Sequence, residues 1–139
     1  MNQAAFKQSS HLNPELKIGG KSPNLEKLVG RWLNTNRDTR GIAECTITPE
    51  GGQVKVSVVG VGDDGPIAWP VVTAHALANL EEEAGQRTGA LMATFEFAFM
   101  RAETHIRINK GVLVIVLFAT FLDDSGRSNY LNREFFYGA

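Results

Sequence analysis

The chain has 139 residues, of which 43% are apolar, enough for one domain with a sizeable core and too few for two. Its 14 basic and 15 acidic side chains leave a net charge of -1, so no long-range field favours nucleic acid or an anionic membrane, and neither is expected as a partner. The single cysteine, Cys45, permits no internal disulfide and offers no second thiol for a zinc cluster, so packing has to hold the fold.

Residues 1–21 mix polar side chains with isolated Phe6, Leu12, Leu16 and Ile18 and lack the continuous apolar stretch of a secretory signal. They read as a polar arm ahead of a domain at 22–139, and the expected location is the cytoplasm. Ser22-Pro23-Asn24-Leu25-Glu26-Lys27-Leu28 places a capping serine before a proline at the first helical position, which predicts one or two helical turns.

From Arg31 onward, short β-branched and aromatic runs alternate with Gly, Asp, Asn and Pro turns, at the spacing of hairpins in a sandwich or barrel. Strands are expected at 31–36, 42–48, 53–60, 71–77, 91–100, 103–108, 112–121 and 129–136. Turns of suitable chemistry separate them at Pro49-Glu50-Gly51-Gly52, Gly62-Asp63-Asp64-Gly65, Asn109-Lys110-Gly111 and Asp123-Asp124-Ser125-Gly126. Met100-Arg101-Ala102 reads either as a tight turn or as a bend in one long strand, which decides between seven strands and eight. Gly60-Val61-Gly62-Asp63-Asp64-Gly65 matches the G-x-G-x-x-G spacing, but Pro66-Ile67-Ala68-Trp69-Pro70 follows it and supplies no helix N-terminus for a pyrophosphate. Glu81-Glu82-Glu83, with Gly85 and Gly89 after it, reads as a solvated hairpin loop.

His11, His75 and His105 have no metal-ligand spacing to one another or to Cys45, so neither a metal nor a cofactor is expected. Three side chains are candidates for acid–base chemistry. His75 shares strand parity with Val71, Thr73 and Leu77; Glu44 sits mid-strand on a face with Ile42, Thr46 and Thr48; Glu96 lies opposite the Phe95, Phe97, Phe99 stripe. If that stripe packs inward, Glu96 is solvent-facing; if it packs against a partner, Glu96 enters the interior. His105 shares its face with Arg101, Glu103 and Arg107, a solvent-facing set. The run 112–122 is apolar on both faces and too short to span a membrane as a helix, so it reads as a buried strand needing a second cover. That cover is either the N-terminal segment or a second barrel, and a homodimer or higher oligomer is expected.

Gly30-Arg31-Trp32 stands where the predicted helical turn meets the first strand, and it resembles the G-x-W signature of calycins, the group of lipocalins, fatty-acid-binding proteins and avidins. Arg133, in Asn132-Arg133-Glu134-Phe135-Phe136, resembles the late basic residue that such barrels bring onto the tryptophan ring. Within the group, Gly30-Arg31-Trp32-Leu33-Asn34 is closest to the avidin-like G-x-W-x-N, whose asparagine holds the ligand's polar head. The resemblance implies an all-β fold, a single antiparallel up-and-down barrel of seven to eight strands with a short N-terminal helical turn. Gly30, Trp32 and Arg133 would be its structural signature. Strand parity sends Trp32, Asn34 and Asn36 to one face, although Asn36 could equally serve the Asn36-Arg37-Asp38 turn.

Three functions follow as expectations. The first is binding of a small, mostly apolar molecule in the barrel, oriented by Asn34, Asn36, Thr46 and Tyr130. The second is a cofactor-free cyclase or isomerase acting on an apolar substrate through Glu44, Glu96 or His75. The third is an oligomerising interaction protein whose barrel is packed solid.

Overall fold

A computed structural model of the protein describes residues 24–78 and 89–139. The polar arm, the Ser22-Pro23 cap and the Glu81-Glu82-Glu83 segment lie outside them. Of the expected helical turns, the described part is one 3-10 turn, Glu26–Leu28, where Asn24 Oδ1 accepts a hydrogen bond from the Glu26 N–H at 2.9 Å.

Nine strands follow among the described residues: β1 (Gly30–Asn34), β2 (Ile42–Glu50), β3 (Gln53–Gly62), β4 (Gly65–Ala68), β5 (Val72–Ala78), β6 (Gly89–Glu96), β7 (Met100–Asn109), β8 (Val112–Phe121) and β9 (Tyr130–Gly138). All pairings are antiparallel. The order β2-β1-β9-β8-β7-β6-β5-β3 closes through a β2–β3 pairing, giving the expected up-and-down barrel with eight wall strands. Phe97, Ala98 and Phe99 make the β6–β7 connection, closed by a Phe97 N–H to Met100 C=O bond of 2.8 Å, so Met100 already belongs to β7 and the count is eight rather than seven.

The sequence reading contained no counterpart of β4. It pairs with the mouth half of β3 (Val59 with Ala68) while β5 pairs with the other half (Val56 with Val72). Three steps along β3 are thus matched by four along its partner, the signature of a bulge, and the extra residue falls at Trp69-Pro70-Val71. Pro70 donates no ladder bond, and the Trp69 N–H rejoins β3 at Val58 C=O, 2.9 Å away. Beyond the bulge β4 pairs with β3 only, and the end of β6 pairs with β7 only, so the wall near this end has a seam between β4 and β6.

Alternation fills the interior. Trp32, Cys45, Ile47, Val56, Val58, Leu91, Phe95, Ile106, Leu113, Ile115 and Phe136 are buried, and Thr104, a polar residue buried among them, donates its hydroxyl to Ala93 C=O at 2.8 Å. Trp32 closes the end carrying the 3-10 turn: its indole N–H donates to Leu28 C=O at 2.9 Å, and Leu28 is fully buried. Burial pushes the Cys45 thiol up to about 12, helped by the nearby Glu44 charge. The native protein should therefore stay unmodified by a thiol-specific disulfide reagent at pH 8 and react in one equivalent only once unfolded; rapid native labelling would show that the core opens readily.

On the outside, β7 presents Arg101, Glu103, His105 and Arg107 to solvent as expected, with His105 Nε2 2.9 Å from Glu103 Oε2. Beside it β8 and β9 carry half-buried Val114 and Val116 and exposed Phe118, Leu131, Phe135 and Tyr137. No helix among the described residues is long and apolar enough to cross a membrane.

Candidate functional site

The β1–β2, β3–β4, β6–β7 and β8–β9 connections gather at the end opposite Trp32, because an up-and-down meander returns every second turn to the same rim. A cavity of about 350 Å³ opens there. Ile42, Val61, Ile67, Met100 and Leu117 form its aliphatic wall and Trp69, Phe97, Phe99, Phe121 and Tyr130 its aromatic one, with Arg40, Arg127, Asn132 and Glu134 as polar groups. A rim cleft of about 460 Å³ adjoins it, lined by Asn36, Asp38, Thr39, Tyr130, Asn132 and Glu134 among others. A groove of about 1050 Å³ lies toward the other end. Much of its wall is outer-face side chains, Val114, Val116, Arg133 and Phe135, so it is a surface feature outside the barrel lumen.

Trp69 anchors the aromatic wall through two edge-to-face contacts. Trp69 meets Phe95 at 5.1 Å between ring centroids with planes 70° apart, and Phe97 at 5.3 Å with planes 83° apart; Phe97 and Phe99 stand 5.8 Å apart, and Phe121 and Tyr130 6.1 Å. Gly60 makes room for Trp69: a Cβ there would lie 2.5 Å from the indole nitrogen. Gly65, at φ +122°, occupies the left-handed region at the β3–β4 turn. Two glycines of the G-x-G-x-x-G run thus serve a hairpin and an indole, and the run leads into a strand.

Glu134 fixes the rim. Its Oε1 accepts the Ile42 N–H at 2.9 Å; its Oε2 accepts the Asn34 side-chain amide at 2.8 Å and the Thr39 hydroxyl. The carboxylate thereby ties β9 to β1 and to both ends of the β1–β2 loop. Asn34 is buried at 8% exposure; it also donates to Ile42 C=O at 2.8 Å and accepts the Asn36 N–H at 2.7 Å.

Across the mouth, Arg127 lies with its guanidinium carbon 4.3 Å from the Phe121 centroid and 5.2 Å from that of Phe99. Its Nε donates to Ser125 Oγ and one terminal nitrogen to Asp123 Oδ2, both at 2.9 Å. The Ser125 hydroxyl, the Ser125 N–H and Arg127 hold the Asp123 carboxyl below its ordinary range, so this latch is charged at neutral pH.

The expected site residues divide. Asn34 faces inward, but both amide hydrogens are engaged within the protein and it does not line the cavity. Asn36 lies beyond the end of β1, where its Oδ1 accepts the Asp38 N–H at 3.0 Å, the turn role, while it also borders the rim cleft. Tyr130 borders both cavity and cleft. Thr46 faces outward, because a bulge between Ile42 and Glu44 lets Ile42 point inward together with Cys45 and Ile47 and sends Glu44 and Thr46 to the outer wall.

There Glu44 forms a two-pronged ion pair with Arg31, both bonds 2.9 Å, and this hydrogen bonding holds its pKa below the usual carboxylate value. Glu96 is exposed and pairs loosely with Arg101 at 3.5 Å, since Phe95 packs inward; His75 is exposed on the outer face of β5. Arg133 also points outward, over Phe135 at 5.6 Å, and it is Gly138 that stands beside Trp32 in the ladder; the expected arginine cap on the tryptophan is absent. Gly30, at φ +137°, starts β1 as the signature places it.

Sequence reasoning missed Glu134, Arg127, Arg40 and the cavity role of Trp69. Only Glu134 left a signal, the shared parity of Tyr130, Asn132, Glu134 and Phe136. Among the described residues no group of three His, Cys, Asp or Glu is placed to hold a metal. In comparisons with known proteins, the chain matches no protein family, no curated protein and no solved structure.

Proposed function

We propose that the protein binds a small, mostly apolar molecule in the mouth of its barrel. The observation that carries this reading is the aromatic cavity at one rim, set above an interior that is otherwise filled with side chains. Its volume is at the low end for small-molecule sites, and its polar groups are few, the pattern that orients a ligand. The acid–base candidates Glu44, Glu96 and His75 all stand on the outer wall, so the geometry favours binding over an acid–base cyclase or isomerase. A calycin-like origin belongs to the same proposal, supported by the closed barrel and the Trp32 floor, with the outward Arg133 as a departure. So does self-association through the exposed Phe118, Leu131, Phe135 and Tyr137 of β8 and β9.

Native mass spectrometry of freshly purified protein, reporting oligomer mass and co-purified molecules together, gives a first test. A titration with an environment-sensitive naphthalene dye gives the second. The wild type should bind about one dye per chain, and Gly60→Ala, which drives a methyl group into the Trp69 position, should weaken binding at least fivefold for a stability loss of roughly 1–3 kcal/mol. Equal dye binding by both proteins would remove the mouth as the site.

A further inference from the structure

We infer that the molecule held at the mouth is a one- or two-ring aromatic carboxylate, its ring against Trp69, Phe97 and Phe99 and its carboxylate toward Arg127 and Arg40. This rests on the mouth being the binding site. The ring follows from the wall: edge-to-face contacts run from the buried Phe95 through Trp69 to Phe97, Phe99 continues the aromatic surface with its plane tilted 31° from that of Phe97, and a flat π-face extends such a surface better than a flexible chain does. A volume of about 350 Å³ limits the ligand to one or two rings.

The anionic head follows from which polar groups are already engaged. The Glu134 carboxylate is held by Asn34, Thr39 and Ile42, and the Asp123 carboxylate by Ser125 and Arg127. Arg127 uses its Nε and one terminal N–H on Ser125 and Asp123, which leaves the rest of its five donors, and Arg40 makes no side-chain hydrogen bond to a described residue. Among the charged groups that line the cavity, the unspent capacity is therefore guanidinium N–H, whose planar fork matches a carboxylate. A cationic ligand fits poorly. The cation position over Phe99 and Phe121 is already filled by Arg127, and the carboxylate that lines the cavity, Glu134, already accepts three hydrogen bonds.

Isothermal titration of the full chain with 2-naphthoate, 2-naphthamide and protonated 2-naphthylmethylamine separates the possibilities. The naphthoate should bind at least tenfold tighter than the amide, and the amine weakest. Arg127→Gln and Arg40→Gln should each lower naphthoate affinity about fivefold or more and leave the amide within twofold, and Arg127→Lys should recover part of the loss. Arg127 lies on an exposed loop, so the variants keep the fold, which a circular dichroism melt checks. If the amide or amine binds as tightly as the naphthoate and displaces the dye, the head-group assignment is overturned while the cavity reading stands. If Arg127→Gln weakens all three equally, Arg127 shapes the rim without recognising an anion, and the assignment falls. If none of the three binds and the dye does not either, both readings fail together.

Discussion

Glu134→Ala should lower the stability of the protein by about 3 kcal/mol, a drop in Tm of roughly 10 °C for a chain of this length. Its two oxygens accept the Ile42 N–H, the Asn34 amide and the Thr39 hydroxyl, and alanine leaves all three donors without their charged acceptor. The Asn34 amide suffers most. It is buried and its amide hydrogen has a fixed direction, whereas the Thr39 hydroxyl can rotate. Glu134→Gln keeps one carbonyl oxygen and should lose about half as much. Urea titrations at pH 7 read both numbers. A loss below about 1 kcal/mol for the alanine variant would mean that the β1–β2 loop is held to β9 by the backbone bond from Thr35 N–H to Phe135 C=O and not by this carboxylate.

Phe95→Ala should cost still more, about 4 kcal/mol, because it empties a fully buried ring position in the middle of the core. It should also abolish dye binding at the mouth. Trp69 rests edge-on against Phe95, at the seam where no ladder bond joins β4 to β6, so removing the ring frees the indole to fall into the space it vacates. Phe95→Leu separates the effects, restoring most of the stability while leaving Trp69 without an aromatic edge. If Phe95→Leu binds the dye as the wild type does, Trp69 is positioned by Gly60 and Phe97 alone.

Where alternation was unbroken, the strands were legible from residue order. β7 and β8 fall within a few residues of their expected positions, and burial of Phe95 resolved the ambiguity of Glu96. Where a bulge intervened, period-two reasoning failed: one extra residue near Ala43 separated Ile42 from the face it was expected to share with Glu44 and Thr46, and Thr46 lost its place in the cavity. A second bulge at Pro70 hid β4, since Pro66 and Pro70 in a five-residue span read as a break and not as an edge strand. The site was less legible than the fold. Arg40 and Arg127 lie on loops, where no periodicity fixes direction. Glu134 sits mid-strand between an arginine and a phenylalanine, and only the barrel's closure brings it opposite Asn34 and Thr39. Arg133 attracted the signature because of its position in the chain, yet strand parity gives the inward place to its neighbour.

The seam between β4 and β6 sets how this protein can change. Elsewhere around the barrel, widening the wall breaks backbone ladder bonds and disturbs every strand in turn. At the seam no ladder bond joins β4 to β6, and Trp69 meets Phe95 and Phe97 by ring contacts, so the width and chemistry of the entrance can be rewritten by side-chain exchange while the Trp32 floor remains as it is. One barrel could in this way serve a succession of differently shaped molecules, with selection acting on a few rim positions and the scaffold inherited intact.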